Sequence, residues 1–258
     1  MKKTKVVLFA SHFPGVKTAA HLKECEDEIL RLYLPDRKEK YASDIIEASG
    51  VPESKIFYWG DVDDKEVLAA ELRALKPEYF VLVYWPYLLK GGMTAIPLVG
   101  SVNFHPALLP INRGWYPHVH SIIDGSPLGV TLHDIDEGID TGKVWVQKEV
   151  DLKSTDTAKS IYDRLQNEII ALFEENWNDI KSGRKKSTPQ NESRATYHSK
   201  KDIDGLDKLD LDKTYSGRDL INLLRARSFG ELGFAYFEED GKRIHMNLRL
   251  SEGVRMST

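Results

Sequence analysis

The sequence predicts an α/β fold with a doubly wound, mostly parallel sheet, followed by a small C-terminal helix and β-hairpin. Short continuous apolar segments, typical of buried parallel strands, alternate with helical segments over most of the first 181 residues. Near the C-terminus, two strand-like segments flank the turn Glu238-Glu239-Asp240-Gly241-Lys242, which indicates a hairpin.

The first half of the chain is predicted to form four strands and two helices. Asp63-Asp64 can cap a helix whose Val67, Leu68, Leu72 and Leu75 recur at helical spacing. The segment after the first strand contains Pro14 and Gly15 and is predicted to be a loop. The predicted strands span 5–10, 28–34, 55–59 and 79–84, and the predicted helices span 40–49 and 65–75.

The second half divides at a change of composition. Residues 183–212 are polar and rich in turn formers, which indicates a linker between a main domain, 1–182, and a small subdomain, 213–258. A helix and hairpin of this size should dock on the main domain or on a second subunit. The predicted strands span 101–105, 128–132, 143–150, 234–237 and 243–248, and the predicted helices span 116–124, 156–181 and 216–227.

The composition argues against several classes of partner. With 36 basic and 40 acidic residues the net charge is −4, which gives no bulk electrostatic basis for binding nucleic acid or an anionic membrane. The single cysteine, Cys25, excludes an intramolecular disulfide and fits a reducing cytoplasm. The N-terminal apolar run is short and lacks a cleavage site, and no segment has the length of a membrane span. Small-molecule partners and a cytoplasmic location are therefore expected.

The segment SVNFHPALLPINRGWYP, residues 101–117, contains the first candidate site. Asn103 and His105 are two apart on a strand and so share a face, while Phe104 faces the other way. They stand at the carboxyl end of a strand, where open α/β sheets bind ligands. An amide that bonds a developing oxyanion and an imidazole that moves a proton suit acyl transfer. A strand-end cap and a turn histidine remain the alternative.

The second candidate site is the acidic loop HDIDEGIDTG, residues 133–142. Its glycines permit close approach of the backbone to a ligand, and its four carboxylates repel one another unless they are solvated or used. A carboxylate from this loop could orient His105. An acidic surface loop explains the same composition.

Other side chains give weaker signals. His118, His120 and His133 lack a metal-binding framework, so structural roles are expected and no metal is predicted. The aromatic strand exit from Trp85 to Leu89 could stack on a flat heterocycle or cover the core. Arg113 could bind phosphate or carboxylate. No Walker loop or G-x-G-x-x-G follows the first strand, so a nucleotide on that loop is not expected.

The chain contains two long motifs, N-F-H-P-A-L-L-P-x-x-R-G and then G-V-T-L-H-D-I-D-E-G-I-D-T-G-K-V. Their residues, order and spacing resemble those of the N10-formyltetrahydrofolate-dependent formyltransferases. The resemblance implies a Rossmann-like formyltransferase fold with residues 1–182 as the catalytic domain. It also implies that Asn103 holds the formyl oxygen, His105 assists proton transfer from the amine and Asp140 orients His105.

The resemblance also implies binding sites for the formyl donor, N10-formyltetrahydrofolate. The pterin is expected between the exit of the strand 79–84 and the acidic loop, on Trp85, Pro86, Tyr87, Leu88, Leu89, Leu132, His133, Asp134, Asp136 and Gly138. The candidates for binding the amine substrate are Arg113, Gly114, Trp115, Tyr116, Tyr197 and Arg225.

The C-terminal extension and R-G-W-Y-P-H-V-H-S-I-I-D-G are most similar to the short sugar N-formyltransferases of O-antigen and lipopolysaccharide biosynthesis. This implies a dTDP-linked amino sugar substrate, such as dTDP-4-amino-4,6-dideoxyglucose, and a homodimer formed through the C-terminal hairpin. The chain differs from methionyl-tRNA formyltransferases, which carry a larger C-terminal barrel and a basic surface, because it has only a short helix and hairpin there and a net charge of −4. The alternatives are a glycinamide ribonucleotide formyltransferase, which binds phosphate on a Gly/Ser-rich loop after the first strand, and an inactive folate- or nucleotide-binding module.

Overall fold

The computed structural model describes residues 3–90 and 92–253. Its strands are β1 (Lys5–Ala10), β2 (Glu28–Leu34), β3 (Ile56–Tyr58), β4 (Tyr79–Val83), β5 (Gly100–His105), β6 (Arg113–Gly114), β7 (Gly129–His133), β8 (Val144–Glu149), β9 (Tyr197–His198), β10 (Ser228–Phe229), β11 (Leu232–Gly233), β12 (Tyr236–Glu239) and β13 (Lys242–His245). Its α-helices are α1 (His12–Glu24), α2 (Ala42–Ser49), α3 (Lys65–Leu75), α4 (Pro117–Asp124), α5 (Ala158–Lys181) and α6 (Gly217–Ala226).

One seven-stranded sheet forms the framework, in the order β3-β2-β1-β4-β5-β7-β8. β1 pairs in parallel with β2 and β4, and β4 pairs in parallel with β5. β7 is antiparallel to β5. The predicted fold class, a mostly parallel α/β sheet followed by a small C-terminal helix and hairpin, is confirmed.

The chain divides into two compact units. Among the described residues, the first draws on 3–90, 92–105, 130–148 and 166–191. Its core is the sheet, whose central strands are buried along nearly their whole length. Long helix α5 covers that sheet in part through Trp177, whose ring lies edge-on to Tyr79 at 5.2 Å between centroids. The Tyr79 hydroxyl donates to the Ile180 carbonyl at 3.0 Å, and burial raises the pKa of Tyr79 to about 12.

The prediction of a loop after β1 is wrong, because residues His12–Glu24 form helix α1. Pro14 stands in the first turn, where its missing N–H removes no intrahelical hydrogen bond. Gly15 packs closely against α2, since a Cβ there would lie only 3.1 Å from Ile45 Cδ1. Pro14 and Gly15 favoured a loop in the sequence, but Pro14 lies in the first turn of a helix and Gly15 makes a packing contact.

The other helix boundaries follow the expected signals. Asp64 caps α3, and its Oδ1 atom accepts from the backbone N–H groups of Glu66 at 2.8 Å and Val67 at 3.1 Å. Gly125, in the left-handed conformation, ends α4. None of the helices in the described parts of the chain is long and apolar enough to cross a bilayer.

Among the described residues, the second unit draws on 106–129, 149–165 and 192–253. Within it, β6 pairs in parallel with β9, so the predicted linker 183–212 contains a short strand. β12 and β13 form an antiparallel hairpin in the register Tyr236↔His245 to Glu239↔Lys242. Asp240 and Gly241 at its turn both have positive φ, as such a tight turn requires.

Candidate active site

The pairing of β5 with β7 places the two residues of the first candidate site. Asn103 lies opposite His133 and His105 opposite Thr131, so Asn103 and His105 share the same face of β5. Phe104 is buried and contacts Phe173 of α5, with ring centroids 5.1 Å apart. The alternation predicted from the sequence therefore gives the observed placement of these three side chains.

The acidic loop after β7 brings a carboxylate to these residues. Asp140 Oδ2 lies 3.4 Å from His105 Nδ1, and Asp140 Oδ1 lies 3.5 Å from His133 Nε2. The Asp140 side chain is only 15% exposed, although Asp136 and Glu137 of the same loop are exposed. The surface-loop explanation thus holds for part of the loop and not for Asp140.

Hydrogen bonds from two other parts of the first unit hold this loop in place. The Asp134 carboxylate accepts from the backbone N–H groups of Ser101 at 2.8 Å and Ile135 at 3.0 Å, and from the Ser101 hydroxyl. Gln190 Nε2 donates to the carbonyls of Asp140 at 2.8 Å and Gly142 at 2.7 Å. Gly142 has no space for a side chain, because a Cβ atom there would collide with the Asp134 carbonyl.

Sequence reasoning missed the roles of Ser101 and Gln190 in holding this loop. Ser101 lies two residues before the motif that begins at Asn103, and Gln190 lies well after the motif that contains Asp140. The two motifs therefore gave no direct signal for either residue.

A cavity of about 260 Å³ opens beside Asn103, His133 and Asp140. Of the residues predicted to bind the formyl donor, the lining includes Trp85, Tyr87, Leu88, Leu89, His133, Asp136 and Gly138. Pro86, Leu132 and Asp134 are not part of the lining. The further lining residues, which the sequence did not single out, are Leu82, Lys90, Thr94, Ile135, Glu137, Thr141 and Gly142.

The aromatic residues at the exit of β4 serve both the core and the cavity. Trp85 packs edge-on against Phe9 and Trp59, at 5.3 and 5.6 Å between ring centroids. Tyr87 stacks on Trp59 at 6.1 Å and is 40% exposed. Both functions proposed for this segment are therefore compatible, with Trp85 anchored in the core and Tyr87 forming an accessible wall.

The candidates for substrate binding lie in the second unit, and most of them adjoin the β6–β9 pair. Arg113 is opposite Tyr197 and Gly114 is opposite His198. A Cβ atom at Gly114 would collide with the His198 carbonyl, so this position requires glycine. Trp115 and Tyr197 are exposed, and Tyr116 precedes α4 with a positive φ of 55°. Two accessible aromatic rings, Trp115 and Tyr197, therefore lie at the β6–β9 pair.

The two arginines among these candidates bind groups of the protein itself. Arg113 is buried and donates to both carboxylate oxygens of Glu192, at 2.9 and 2.7 Å, and this bond lowers the pKa of Glu192. Arg225, in α6, is buried and donates through Nη1 to the Lys153 carbonyl at 2.9 Å. Burial lowers the pKa of Arg225. Their guanidinium groups therefore stabilise the second unit.

The remaining histidines of interest, His118 and His120, are also buried in the second unit. Burial is the main reason that the pKa of each is lowered to about 4. His120 stacks on His198 with ring centroids 3.5 Å apart. Among the described residues, no group of three or more His, Cys, Asp or Glu side chains is arranged to hold a metal ion.

Comparison with known proteins assigns the family. The family model described as formyl transferase matches residues 38–175, which is more than half of the chain. The chain belongs to the formyl transferase family. A second model, the N-formyltransferase dimerization C-terminal domain, matches residues 202–252 of this formyl transferase. The resemblance drawn from the two sequence motifs is thus confirmed.

Similar formyl transferases include enzymes that act on different amines. The dTDP-4-amino-4,6-dideoxyglucose formyltransferase of Mycobacterium tuberculosis is 34% identical over 153 residues, which are 59% of this chain and 65% of that protein. The methionyl-tRNA formyltransferase of Halothermothrix orenii is 35% identical over 164 residues, 63% of this chain and 51% of that protein. The matched segments therefore span less than two thirds of these relatives.

The structural match covers more of both chains. The crystal structure of a 4-N formyltransferase from Francisella tularensis superposes with a TM-score of 0.79 and 25% identity. It covers 96% of this chain and 98% of that one. The structural similarity to the Francisella tularensis protein therefore includes the C-terminal part of the present chain.

Proposed function

We propose that the protein is a sugar N-formyltransferase that transfers the formyl group of N10-formyltetrahydrofolate to the amine of a dTDP-linked amino sugar. The observation that carries this proposal is the match along nearly the whole chain to the Francisella tularensis 4-N formyltransferase. The methionyl-tRNA relative is matched over only 51% of its length. The name of the mycobacterial relative supports dTDP-4-amino-4,6-dideoxyglucose as the specific substrate.

Asn103 and Asp140, which line the cavity, and the buried His105 beside Asp140 can carry out this transfer. In the reaction a bond forms between the sugar nitrogen and the formyl carbon, and the bond from that carbon to N10 of the folate breaks. Asn103 donates an N–H to the formyl oxygen as negative charge develops there, and His105 accepts the proton that the amine loses. Asp140, 3.4 Å from His105, orients the imidazole. The proton passes on to N10, and tetrahydrofolate leaves.

The cavity has the chemistry that a pterin requires. Trp85, Tyr87, Leu88 and Leu89 offer apolar and aromatic surface, and the facing loop offers backbone polar groups between Ile135 and Gly142. The volume of about 260 Å³ suits the ring system better than the whole donor, whose tail would extend to solvent. No residue is assigned to a metal ion in this proposal.

The junction of β1 and α1, at Ser11, favours an amino sugar over glycinamide ribonucleotide. A Glu39 carboxylate accepts from the Ser11 hydroxyl at 2.8 Å and from the His12 backbone N–H at 3.0 Å. These donors at the start of α1 would otherwise suit a phosphate. A carboxylate of the protein itself thus stands where the ribonucleotide phosphate is expected in that other enzyme class.

We place catalysis in residues 1–182, and treat 183–212 as the connection to a dimerising subdomain, 213–258. The match of residues 202–252 to a dimerization domain supports a homodimer. The hairpin β12–β13 exposes Ile244, and a lone two-stranded hairpin gains stability from a partner. Ile244→Glu should give a monomer in sedimentation velocity, while Lys38→Glu in the first unit should not. A monomeric wild type would contradict this arrangement.

A cytoplasmic location follows from the proposed substrates, since folate donors and nucleotide sugars are both made there. Formylated sugars of this type would serve O-antigen or lipopolysaccharide biosynthesis. The absence of a membrane-spanning helix among the described residues is compatible with that location.

The deciding experiment offers N10-formyltetrahydrofolate with a panel of dTDP- and UDP-linked amino sugars and with glycinamide ribonucleotide. Release of tetrahydrofolate is measured, and His105→Asn serves as the matched inactive control. Turnover with a dTDP-amino sugar is expected. Turnover with glycinamide ribonucleotide alone would support the purine enzyme, and folate binding without any turnover would support an inactive binding module.

A further inference from the structure

His133 forms hydrogen bonds through both of its ring nitrogens. Nδ1 lies 2.6 Å from the carbonyl oxygen of Asp134, and Nε2 lies 2.9 Å from Nδ2 of Asn103. The side chain is 1% exposed, and the β5–β7 register places it directly opposite Asn103. The ring is therefore held at a fixed position beside the amide that the proposed reaction uses.

The partner of Nδ1 determines the tautomer of this ring. A carbonyl oxygen can only accept a hydrogen bond, so Nδ1 of His133 must carry a proton. In the neutral ring Nε2 then has a lone pair, which accepts from the Asn103 amide. If the ring were a cation, Nε2–H and the Asn103 NH₂ group would be two donors facing each other at 2.9 Å. The observed contacts thus fit a neutral His133 protonated on Nδ1.

We propose that His133 is a positioning residue that fixes the orientation of the Asn103 amide for catalysis, a role that rests on the proposed formyl transfer. With one N–H of Nδ2 bound to His133, the second N–H of that nitrogen is available to the formyl oxygen. Rotation of the amide by 180° would bring Oδ1 against the Nε2 lone pair, which two acceptors disfavour. The ring therefore selects the orientation that offers a donor.

The same tautomer separates the roles of the two histidines near Asp140. The rings of His105 and His133 are nearly perpendicular, with centroids 6.1 Å apart, and each has a nitrogen near a different oxygen of the Asp140 carboxylate. A neutral His133 has no proton on Nε2 to donate across the 3.5 Å to Asp140 Oδ1. Asp140 is thus left to orient His105, and His133 orients Asn103.

Two substitutions of similar size test this role. His133→Gln places an amide oxygen near the position of Nε2 and so keeps an acceptor for Asn103, whereas His133→Asn keeps only the donor to the Asp134 carbonyl. We expect His133→Asn to lower kcat about 10²-fold with little change in either KM, the size of effect seen when one oxyanion donor is lost. His133→Gln should stay within about tenfold of the wild-type kcat.

A double-mutant cycle with Asn103→Ala separates positioning from other roles. If His133 acts through Asn103, His133→Asn should lower kcat by less than about threefold in that background. Equal losses in the Gln and Asn variants, multiplicative losses in the cycle, or an effect on KM alone would overturn the positioning role. Absence of wild-type turnover would instead contradict the proposed formyl transfer and this role with it.

A measurement on the unaltered protein covers the case in which a variant does not fold. Long-range ¹H–¹⁵N correlation spectra of ¹⁵N-histidine-labelled protein report which ring nitrogen carries the proton. In His133 the Nδ1 atom should carry the proton and the Nε2 atom should carry none. A proton on Nε2 would overturn the proposal whatever the activity of the variants.

Discussion

The Nδ1 atom of His105 lies 3.4 Å from the Oδ2 atom of Asp140, and both side chains are largely buried. Asp140 has a positive φ of 54°, in the left-handed region, which Asp and Asn tolerate better than other residues with a side chain. Substitution by Asn therefore removes the charge without straining the backbone, whereas Ala would change both. The carboxylate is best tested with Asn.

We expect Asp140→Asn to lower kcat on the order of 10²-fold or more, because His105 loses the carboxylate that orients it. The melting temperature should change little. Asp151→Asn, at an exposed carboxylate, is the matched control. Steady-state kinetics with the best amino sugar measure the effect, and near-normal turnover would contradict the catalytic assignment of Asp140.

Tyr87→Leu should weaken binding of the formyl donor. Tyr87 lines the cavity and is held by stacking on Trp59, so its loss removes one aromatic wall. Such a contact contributes about 1 kcal/mol, and KM for the donor should therefore rise about five- to tenfold with kcat within about threefold. Leu98→Ser, at an exposed residue outside the cavity lining, should leave KM unchanged. An unchanged KM in Tyr87→Leu would remove this residue from the proposed donor site.

The elements that the sequence predicted well are those with a periodic or chemical signal of their own. Three such signals depend only on neighbouring residues. They are the apolar run of β4, the Asp64 cap of α3, and the alternation that puts Asn103 and His105 on one face. The β6–β9 pair was not predicted, because two-residue strands contain no period.

The contacts that complete the candidate site could not be derived from local sequence. Ser101 and Asp134 are 33 residues apart, and Gln190 is 50 residues from Asp140, so only the folded chain brings them together. Arg113 and Arg225 illustrate a second limit. A guanidinium fork suits phosphate, carboxylate and carbonyl groups alike, and the sequence does not show which of these the fold itself supplies.

Glu39→Ala should destabilise the start of α1. The substitution removes the carboxylate that accepts from the Ser11 hydroxyl and the His12 N–H, a loss of about 1 kcal/mol, comparable to loss of a helix cap. For a chain of this size we expect the melting temperature to fall by about 2–4 °C. Glu47→Ala, at an exposed carboxylate in α2, is the control. An unchanged melting temperature would show that the two bonds contribute nothing net.

Burial of two histidines in the second unit gives the protein a stability that depends on pH. The pKa of His118 and of His120 is lowered to about 4, first by burial. Arg227 lowers both values and His198 lowers that of His120, while Asp124 and Asp202 act in the opposite direction on His120. In the unfolded chain these residues titrate near about 6.5. The unfolded state therefore binds more protons as the pH falls from about 6.5 toward about 4, and folding stability decreases over that range.

At pH 5 each histidine should lower the free energy of unfolding by about 2 kcal/mol relative to pH 7. Urea unfolding at both pH values measures this loss. In His120→Phe, which keeps a flat ring against His198, the loss between pH 7 and pH 5 should be smaller by about 2 kcal/mol, because one buried group no longer titrates. His245→Phe, at an exposed histidine, should retain the full loss. If His120→Phe and the wild type lose equal stability, then His120 accepts its proton in the folded state as readily as in the unfolded chain.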